Sequence, residues 1–385
     1  MDHGAPLVVY GEHNHRYDFG DPHPFTPRRF GPGMDLLREL GATDFLAPEP
    51  VEDAVLRTVH QRHYVDLVRM LSDYPEAAAD SGFDDKDTPP FYDMHEAAAG
   101  VVGGTVAALD RILAGELEHA FHPGGGLHHA MPGRAGGFCV YNDLAIAIRR
   151  ARDAGHRVLY VDVDAHHGDG VELIFWDDPL VQTISIHETG LTLFPGTGFL
   201  DDRGGLEADG SAVNIPMEPG TSDASWLDAV ERVVPAVAAA FRPTLLVTAQ
   251  GADGHRLDPL SNLSLSTRTF DATSRLLDEI AHRHAEGHWL ATGAGGYDVY
   301  RVVPRSWALV WLAMAHRDVP AALPEAWRAR WADEAKRRGQ APLPVALLDD
   351  PTGTPREPAD VAARNRATVD AALAHTLDVL AHRHG

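Results

Sequence analysis

The sequence predicts an α/β fold of three layers, with a central, mainly parallel sheet and helices on both faces. Three observations predict it. Short runs rich in Val, Ile, Leu and Thr alternate with longer helix-like stretches, the pattern of right-handed βαβ crossovers. The short runs are nearly continuously apolar, as strands covered on both faces are. Polar and glycine-rich clusters follow several of them directly, at the strand ends where parallel α/β sheets bind ligands.

The elements follow in chain order. Ala97 to Ala114 and Asn142 to Ala154 read as helices, and Arg157 to Asp162 (RVLYVD) and Val181 to Ile186 (VQTISI) as buried strands. Ser225 to Phe241 is the next helix, then the strand Thr244 to Ala249, the helix Thr269 to Ala285, the strand His288 to Thr292 and the helix Pro304 to Ala315. Arg317 to Pro358 holds Pro320, Pro324, Pro342, Pro344, Pro351, Pro355 and Pro358, and is expected to be an irregular surface excursion before a last helix, Ala359 to Ala381. No 20–50-residue period repeats, which excludes solenoids and propellers. One domain over 1–385 is expected, with its motif-bearing core at about 5–315 and the excursion and terminal helix at about 317–385. The polar clusters run from 87 to 297 and must converge.

Composition limits the function. A chain of 385 residues with 44% hydrophobic and 23% charged residues can bury a large core. No apolar run approaches the ~18 residues of a membrane span. Met1 to Arg16 lacks the apolar stretch of a secretion signal, so a cytoplasmic location is expected. The net charge of -23 repels phosphate backbones and anionic lipid. Arg28-Arg29, Arg149-Arg150 and Lys336-Arg337-Arg338 are too short to make a nucleic-acid patch. A basic peptide or an amine is the more natural ligand, although a solvated acidic surface alone accounts for most of the charge. The single Cys139 forbids an intramolecular disulfide and fits a reducing compartment.

The chemistry gathers at strand ends. RVLYVD runs into Asp162-Val-Asp164-Ala-His166-His167-Gly168-Asp169-Gly170, a density of Asp and His that is costly without a cation or paired partners. On an extended backbone Asp164 and His166, two apart, point the same way and can grip one metal ion. Asp253, after the strand TLLVTAQ, offers a third ligand. Two carboxylates and one imidazole leave positions open for water and substrate, as catalytic zinc sites do. A hydrogen-bonded Asp/His cluster is the plainer alternative, against which stand matching ligands at two strand ends. His128-His129 follows Gly124-Gly-Gly126-Leu127. Neighbours on a strand diverge, so this pair reads as acid/base groups or as exposed loop histidines. Tyr297 follows Gly293-Ala-Gly-Gly296. It is either core packing or a hydroxyl directed at a ligand across a close-approaching turn.

Taken in order, GGGLHHA, GFCVYND, YVDVDAHHGDG, SIH, FPGTG, QGADGHRLDPL and GAGGYD resemble the histone deacetylase superfamily, and within it the bacterial acetoin-utilisation (AcuC-type) branch. The resemblance covers about residues 5 to 315 and implies the arginase/deacetylase fold. It implies a centre of Asp164, His166 and Asp253 holding zinc or ferrous iron, where activated water attacks an acetamide. Tyr297 would polarise the carbonyl oxygen, His129 would be general base and then acid, and His128 would stay charged. Asp162 and Asp169 would orient His128 and His129. Backbone oxygens of Asp162, Asp164 and His166, with Ser185 and Ile186, match a structural potassium site.

The same resemblance sets the tunnel. Phe138 and Phe194 match its aromatic walls, with Gly137, Gly295 and Leu260 also lining it. Asp87 matches a rim carboxylate for peptide N–H groups, and Arg29 lines a channel for acetate. The implied activity is hydrolysis of acetyl-lysine in protein substrates, acetyl-coenzyme-A synthetase among them, without nucleic-acid or membrane partners. A deacetylase of small acetylated amines such as acetylpolyamines is the main alternative. Leu260 favours lysine, since a second ammonium would be better met by a carboxylate. A two-manganese ureohydrolase needs more carboxylates than the later strand has, and a binding-only module would have lost a ligand or Tyr297.

Overall fold

In a computed structural model, which describes residues 5–81, 83, 87–353 and 355–384, eight strands form one parallel sheet. They are β1 (Leu7–Val9), β2 (Phe45–Leu46), β3 (His119–His122), β4 (Val158–Asp162), β5 (Val181–Glu188), β6 (Ala212–Met217), β7 (Leu245–Ala249) and β8 (Trp289–Thr292). Their spatial order is β2-β1-β3-β8-β7-β4-β5-β6. The four strands expected are all present. β1, β2, β3 and β6 are additions: the first two are only 3 and 2 residues long, and β3 is HAFH, half imidazole.

The helices are α1 (Phe30–Glu39), α2 (Asp53–Leu56), α3 (Arg62–Asp73), α4 (Met94–Leu113), α5 (Asp143–Asp153), α6 (Asp169–Ile174), α7 (Asp223–Phe241), α8 (Thr267–His284), α9 (Val303–Met314), α10 (Glu325–Arg337) and α11 (Ala359–His384). Alternate residues of each strand feed the two outer layers. Leu159 and Val161 join the core formed with α1, α7, α8 and α9. Val158 and Tyr160 join the core formed with α4, α5 and α6. Both sets are apolar, which explains the continuous apolar runs. Several helix starts are written locally: the Asn142 side chain accepts from Ala145 N–H and Ser266 from Arg268 N–H. Among the described residues no helix is long and apolar enough to cross a membrane.

The stretch Arg317 to Pro358 is not irregular throughout. It contains α10, whose fully buried Trp327 donates to Pro32 O at 2.8 Å and pins α10 to α1. Its Asp349 accepts from His255 at 2.7 Å and Arg305 at 2.8 Å, fastening the tail to the loop after Asp253. Proline breaks helices only where it sits inside them; Pro324 stands just before α10 as its N-cap. α11 then packs on α7 and β6.

Candidate active site

Every strand runs the same way, so the segments leaving β3, β4, β7 and β8 emerge at one end of the sheet and meet. Asp162 closes β4 opposite Ser185 of β5 and Ala249 of β7. Asp164 and His166 lie just beyond, in a bend and not on extended backbone. They nevertheless converge with Asp253: His166 Nδ1 stands 3.0 Å from Asp164 Oδ1 and 3.1 Å from Asp253 Oδ2. Candidate ligand atoms of the three residues fall within 4.8 Å of one another, and all three residues are buried.

These residues fit a divalent cation. Burial works against charge on His166, yet its hydrogen bonds to Asp164 and Asp253 hold it well above the ordinary imidazole range. Burial and the neighbouring Asp164 push Asp253 up to about 6. Two buried carboxylates here demand positive charge from whatever sits between them. The cradle is cut to size: a Cβ on Gly295 would lie 2.2 Å from Asp253 Oδ2, and one on Gly251 2.2 Å from Asp164 Oδ2. Gly295 N–H also donates to Asp164 Oδ2 at 2.7 Å.

The adjacent histidines do not diverge. They occupy a turn, not a strand, and their rings lie tilted against each other with centroids 4.0 Å apart. Each has its own carboxylate: His128 Nδ1 to Asp162 Oδ2 and His129 Nδ1 to Asp169 Oδ1, both 2.7 Å. Nε2 of His128 is 4.0 Å from Asp164 Oδ1, so the pair borders the ligand triangle. Their charge states separate. Burial opposes protonation of His128, but Asp162 overrides it and raises the ring to about 9. Burial and then the charge on His128 lower His129 to about 4.

The turn is held by further residues of the same motifs. Asp143 accepts from Leu127 N–H at 2.8 Å, Gly126 N–H at 3.0 Å and Thr105 Oγ1 at 2.6 Å. Asn142, besides capping α5, donates to the carbonyls of His128 and Ala130, both 3.1 Å. Tyr160 donates to Asp162 Oδ2 at 2.5 Å. Asp258 is another residue of these motifs. Its carboxylate accepts from Tyr297 N–H at 2.7 Å, Asp298 N–H at 3.2 Å and Leu260 N–H at 3.1 Å, tying the loop of Leu260 to the loop of Tyr297. The only sequence signal was a carboxylate inside LDPL, a common turn pattern.

The remaining predicted residues spread outward. Tyr297 is 8% exposed, with Phe138 edge-on to its ring at 5.7 Å. Leu260 packs in the same apolar cluster. Phe194, 45% exposed, stands edge-on to His129 at 5.0 Å. Gly137 has φ +52°, and a Cβ there would lie 2.4 Å from the His129 ring and 2.8 Å from Phe194. A cavity of about 390 Å³ borders His129 and Phe194. Arg29, not Arg28, turns inward: it is 2% exposed, lies over the Phe25 ring and donates to Ala294 O at 2.8 Å, whereas Arg28 pairs with Asp21 outside. Asp87 is exposed, its carbonyl 3.1 Å from His23 Nε2. Ser185 donates to His187 Nδ1, because His187 Nε2 must donate to Gly198 O at 2.9 Å. The Ser185 oxygen in turn accepts from Gly168 N–H at 3.5 Å.

The fold is shared with known proteins. A family model described as the histone deacetylase domain matches residues 23–314. The chain is 42% identical over 315 residues to the acetoin utilization protein AcuC of Bacillus subtilis, covering 80% of this chain and 81% of that one. It is 38% identical over 319 residues to AcuC of Staphylococcus xylosus, covering 81% and 83%. A crystal structure of an HDAC homologue complexed with SAHA superposes with a TM-score of 0.81 at 26% identity, over 96% of this chain and 99% of that one. That of an HDAC homologue from Aquifex aeolicus gives 0.80 over the same shares.

Proposed function

The chain belongs to the histone deacetylase family, in its AcuC-type branch, and from that premise we propose that it hydrolyses the acetamide of acetyl-lysine in protein substrates. The observation that carries the reading is the histidine pair, each with its own buried carboxylate, directly beside the triangle of Asp164, His166 and Asp253. A proton-transfer group beside a cation site with open positions is what amide hydrolysis by water requires.

Asp164, His166 and Asp253 would hold zinc, or ferrous iron in its place. A divalent cation there supplies Lewis-acid polarisation and makes water acidic enough to react near neutral pH. His129, neutral and with Nδ1–H fixed on Asp169, offers Nε2 as the base that takes the proton from attacking water. The same ring then returns it to the leaving amine. His128 stays charged against Asp162 and stabilises negative charge developing at the reacting carbon's oxygen. Tyr297, whose hydroxyl is kept protonated by burial and by the charge of Asp253, donates to that oxygen. Phe138 and Phe194 flank the four-carbon stem of the lysine, with Gly137, Gly295 and Leu260 completing the tunnel. Asp87 takes a peptide N–H at the rim, and Arg29 guides acetate away behind Ala294. A structural potassium ion would take oxygens of Asp162, Asp164, His166, Ser185 and Ile186, all hard donors. The tail and the motif-bearing core act as one domain.

The amine substrate separates this reading from its rival, deacetylation of small acetylated amines. Leu260 packs with Phe138 and Tyr297 and offers nothing to a second ammonium. Measured on the zinc-loaded protein, kcat/KM for an acetyl-lysine peptide should exceed that for N-acetylputrescine. The reverse order overturns the protein-lysine reading. Zinc-loaded protein inert on both would leave a binding module. An acetylated metabolic enzyme, acetyl-coenzyme-A synthetase among them, is the proposed physiological target, and loss of acetyl-lysine from that protein on incubation is the direct check.

A further inference from the structure

At the opposite end of the sheet the chain assembles a second group of metal-ligand side chains that the proposed reaction does not use. His119 is the first residue of β3, so it lies at the end remote from the turn carrying His128. Asp278 and His282 are one turn apart on α8, and His316 follows α9. Ligand atoms from all four fall within 4.8 Å of one another.

We propose that His119, Asp278, His282 and His316 form a second cation site, taking a divalent metal of the zinc class. Three features support it. The first is spacing. Four ligands around zinc at bonds of about 2.0–2.2 Å stand about 3.3–3.6 Å apart along the edges of a tetrahedron. Here His282 Nε2 is 3.1 Å from His316 Nε2, His316 Nε2 is 3.2 Å from Asp278, and His119 Nε2 and His282 Nε2 are each 3.6 Å from Asp278 Oδ1. The second is orientation. His119 Nδ1 lies 2.9 Å from Met314 O, which can only accept, so the neutral ring keeps its proton there and aims the Nε2 lone pair into the cluster. That atom is buried in a residue 3% exposed and has no hydrogen-bond partner among the described residues. A backbone carbonyl fixing the far nitrogen of a ligand imidazole is the usual support of a metal-binding histidine.

The third is the placement of His316. It has φ +50° at the turn ending α9, where Arg317 N–H donates to Leu312 O at 2.9 Å. Glycine is the ordinary residue at such a position. Three imidazoles and a carboxylate would close a four-coordinate shell without an open position, as a metal with a structural role has. The metal would clamp the start of β3 to α8 and to the chain leaving α9.

The test is metal counting on the full chain, stripped with chelator, reloaded with Zn2+ and dialysed. His282→Ala should hold one equivalent fewer than the parent, and so should His316→Gly, which also relieves the backbone at that position. Equal counts for parent and both variants overturn the proposal, whatever the Asp164 centre holds. Stripped of metal, His282→Ala should unfold near the Tm of the metal-free parent and His316→Gly at or above it, which separates lost ligation from misfolding. As a second readout, Asp253→Ala disables the Asp164 centre, so Zn2+ should still raise its Tm; it should not raise that of Asp253→Ala/His282→Ala. No Zn2+ shift in Asp253→Ala likewise counts against the site.

Discussion

Tyr297→Phe removes one oxygen atom and leaves the rest of the side chain in place. The ring keeps its edge-on contact with Phe138 at 5.7 Å, and the backbone keeps its 2.7 Å bond to Asp258. The fold therefore has little reason to respond, and Tm should stay within about 1–2 °C of the parent. The reaction should respond strongly. Burial, with Asp253 and Asp164 nearby, keeps the hydroxyl protonated throughout the working pH range, so it is present as a donor in every turnover. Losing a donor aimed at a developing oxyanion costs about 2.7–4 kcal/mol, roughly 10²–10³ in kcat. Because the hydroxyl serves the transition state more than the bound substrate, KM should change far less than kcat. The assay is steady-state acetate release from an acetyl-lysine peptide, on parent and variant loaded with the same metal. A kcat within a few-fold of the parent would refute the donor role. A rise in KM with kcat unchanged would instead mean that Tyr297 only shapes the tunnel.

Three further outcomes are expected. Gly137→Ala forces φ +52° on a residue with a Cβ, costing about 1–2 kcal/mol of stability. Its Cβ would lie 2.4 Å from His129 against a normal carbon contact of about 3.5 Å. His129 must shift by about 1 Å, so kcat should fall about 10²-fold, and an unchanged kcat would separate His129 from the chemistry. Leu260→Glu should raise kcat/KM for N-acetylputrescine relative to the peptide, and an unchanged ratio would mean this position does not govern amine choice. His60, 2% exposed, donates from Nδ1 to Met131 O and accepts Asn142 N–H at Nε2. Burial lowers its pKa from 6.5 to about 4. Between those values the unfolded chain binds a proton that the folded chain refuses, so this stability is complete above about pH 6.5. It falls by about 3 kcal/mol as pH drops to about 4. His60→Gln should flatten urea-unfolding stability over that window, and an unaltered pH slope would exclude His60 as its source.

How far the sequence discloses the protein depends on which forces leave a local trace. β4, β5, β7 and β8 are legible because both of their faces are apolar. β1, β2 and β3 are too short or too polar to carry a period, and they exist because neighbouring strands satisfy their backbone groups. The tail misleads for a related reason: its prolines all lie outside α10, while the burial of Trp327 and Asp349 depends on partners far away in the chain. At the site, Asp164, His166, Asp253 and the two histidines stand out because such residues are seldom buried without a task. Asp143 and Asp258 do not stand out. Their work is to accept backbone N–H groups from loops distant in sequence, and nothing in the local pattern reports that.

The two histidines differ because their surroundings do, although they are neighbours. His128 faces Asp162, which is fully buried and also accepts from Tyr160, and Asp164 and Asp169 add to the attraction. One proton on His128 answers this field. Once it is there, the ring of His129, its centroid 4.0 Å away, feels a like charge in a medium that screens poorly. Asp169 offers His129 a matching 2.7 Å bond, but burial and the charged neighbour outweigh it. The pair thus carries a single positive charge at neutral pH, held on the ring hydrogen-bonded to Asp162, and the other ring is left as a base. Exchanging the two carboxylate environments should therefore exchange the roles. Asp162→Asn weakens the hold on the His128 proton and lets His129 compete for it, so the acidic limb of the pH profile of kcat/KM should move upward. Asp169→Asn removes the partner of the neutral ring, so kcat should fall while that limb stays or moves downward. An identical displacement of the limb in both variants would mean that the two histidines titrate as one unit and that their separate carboxylates do not assign the base.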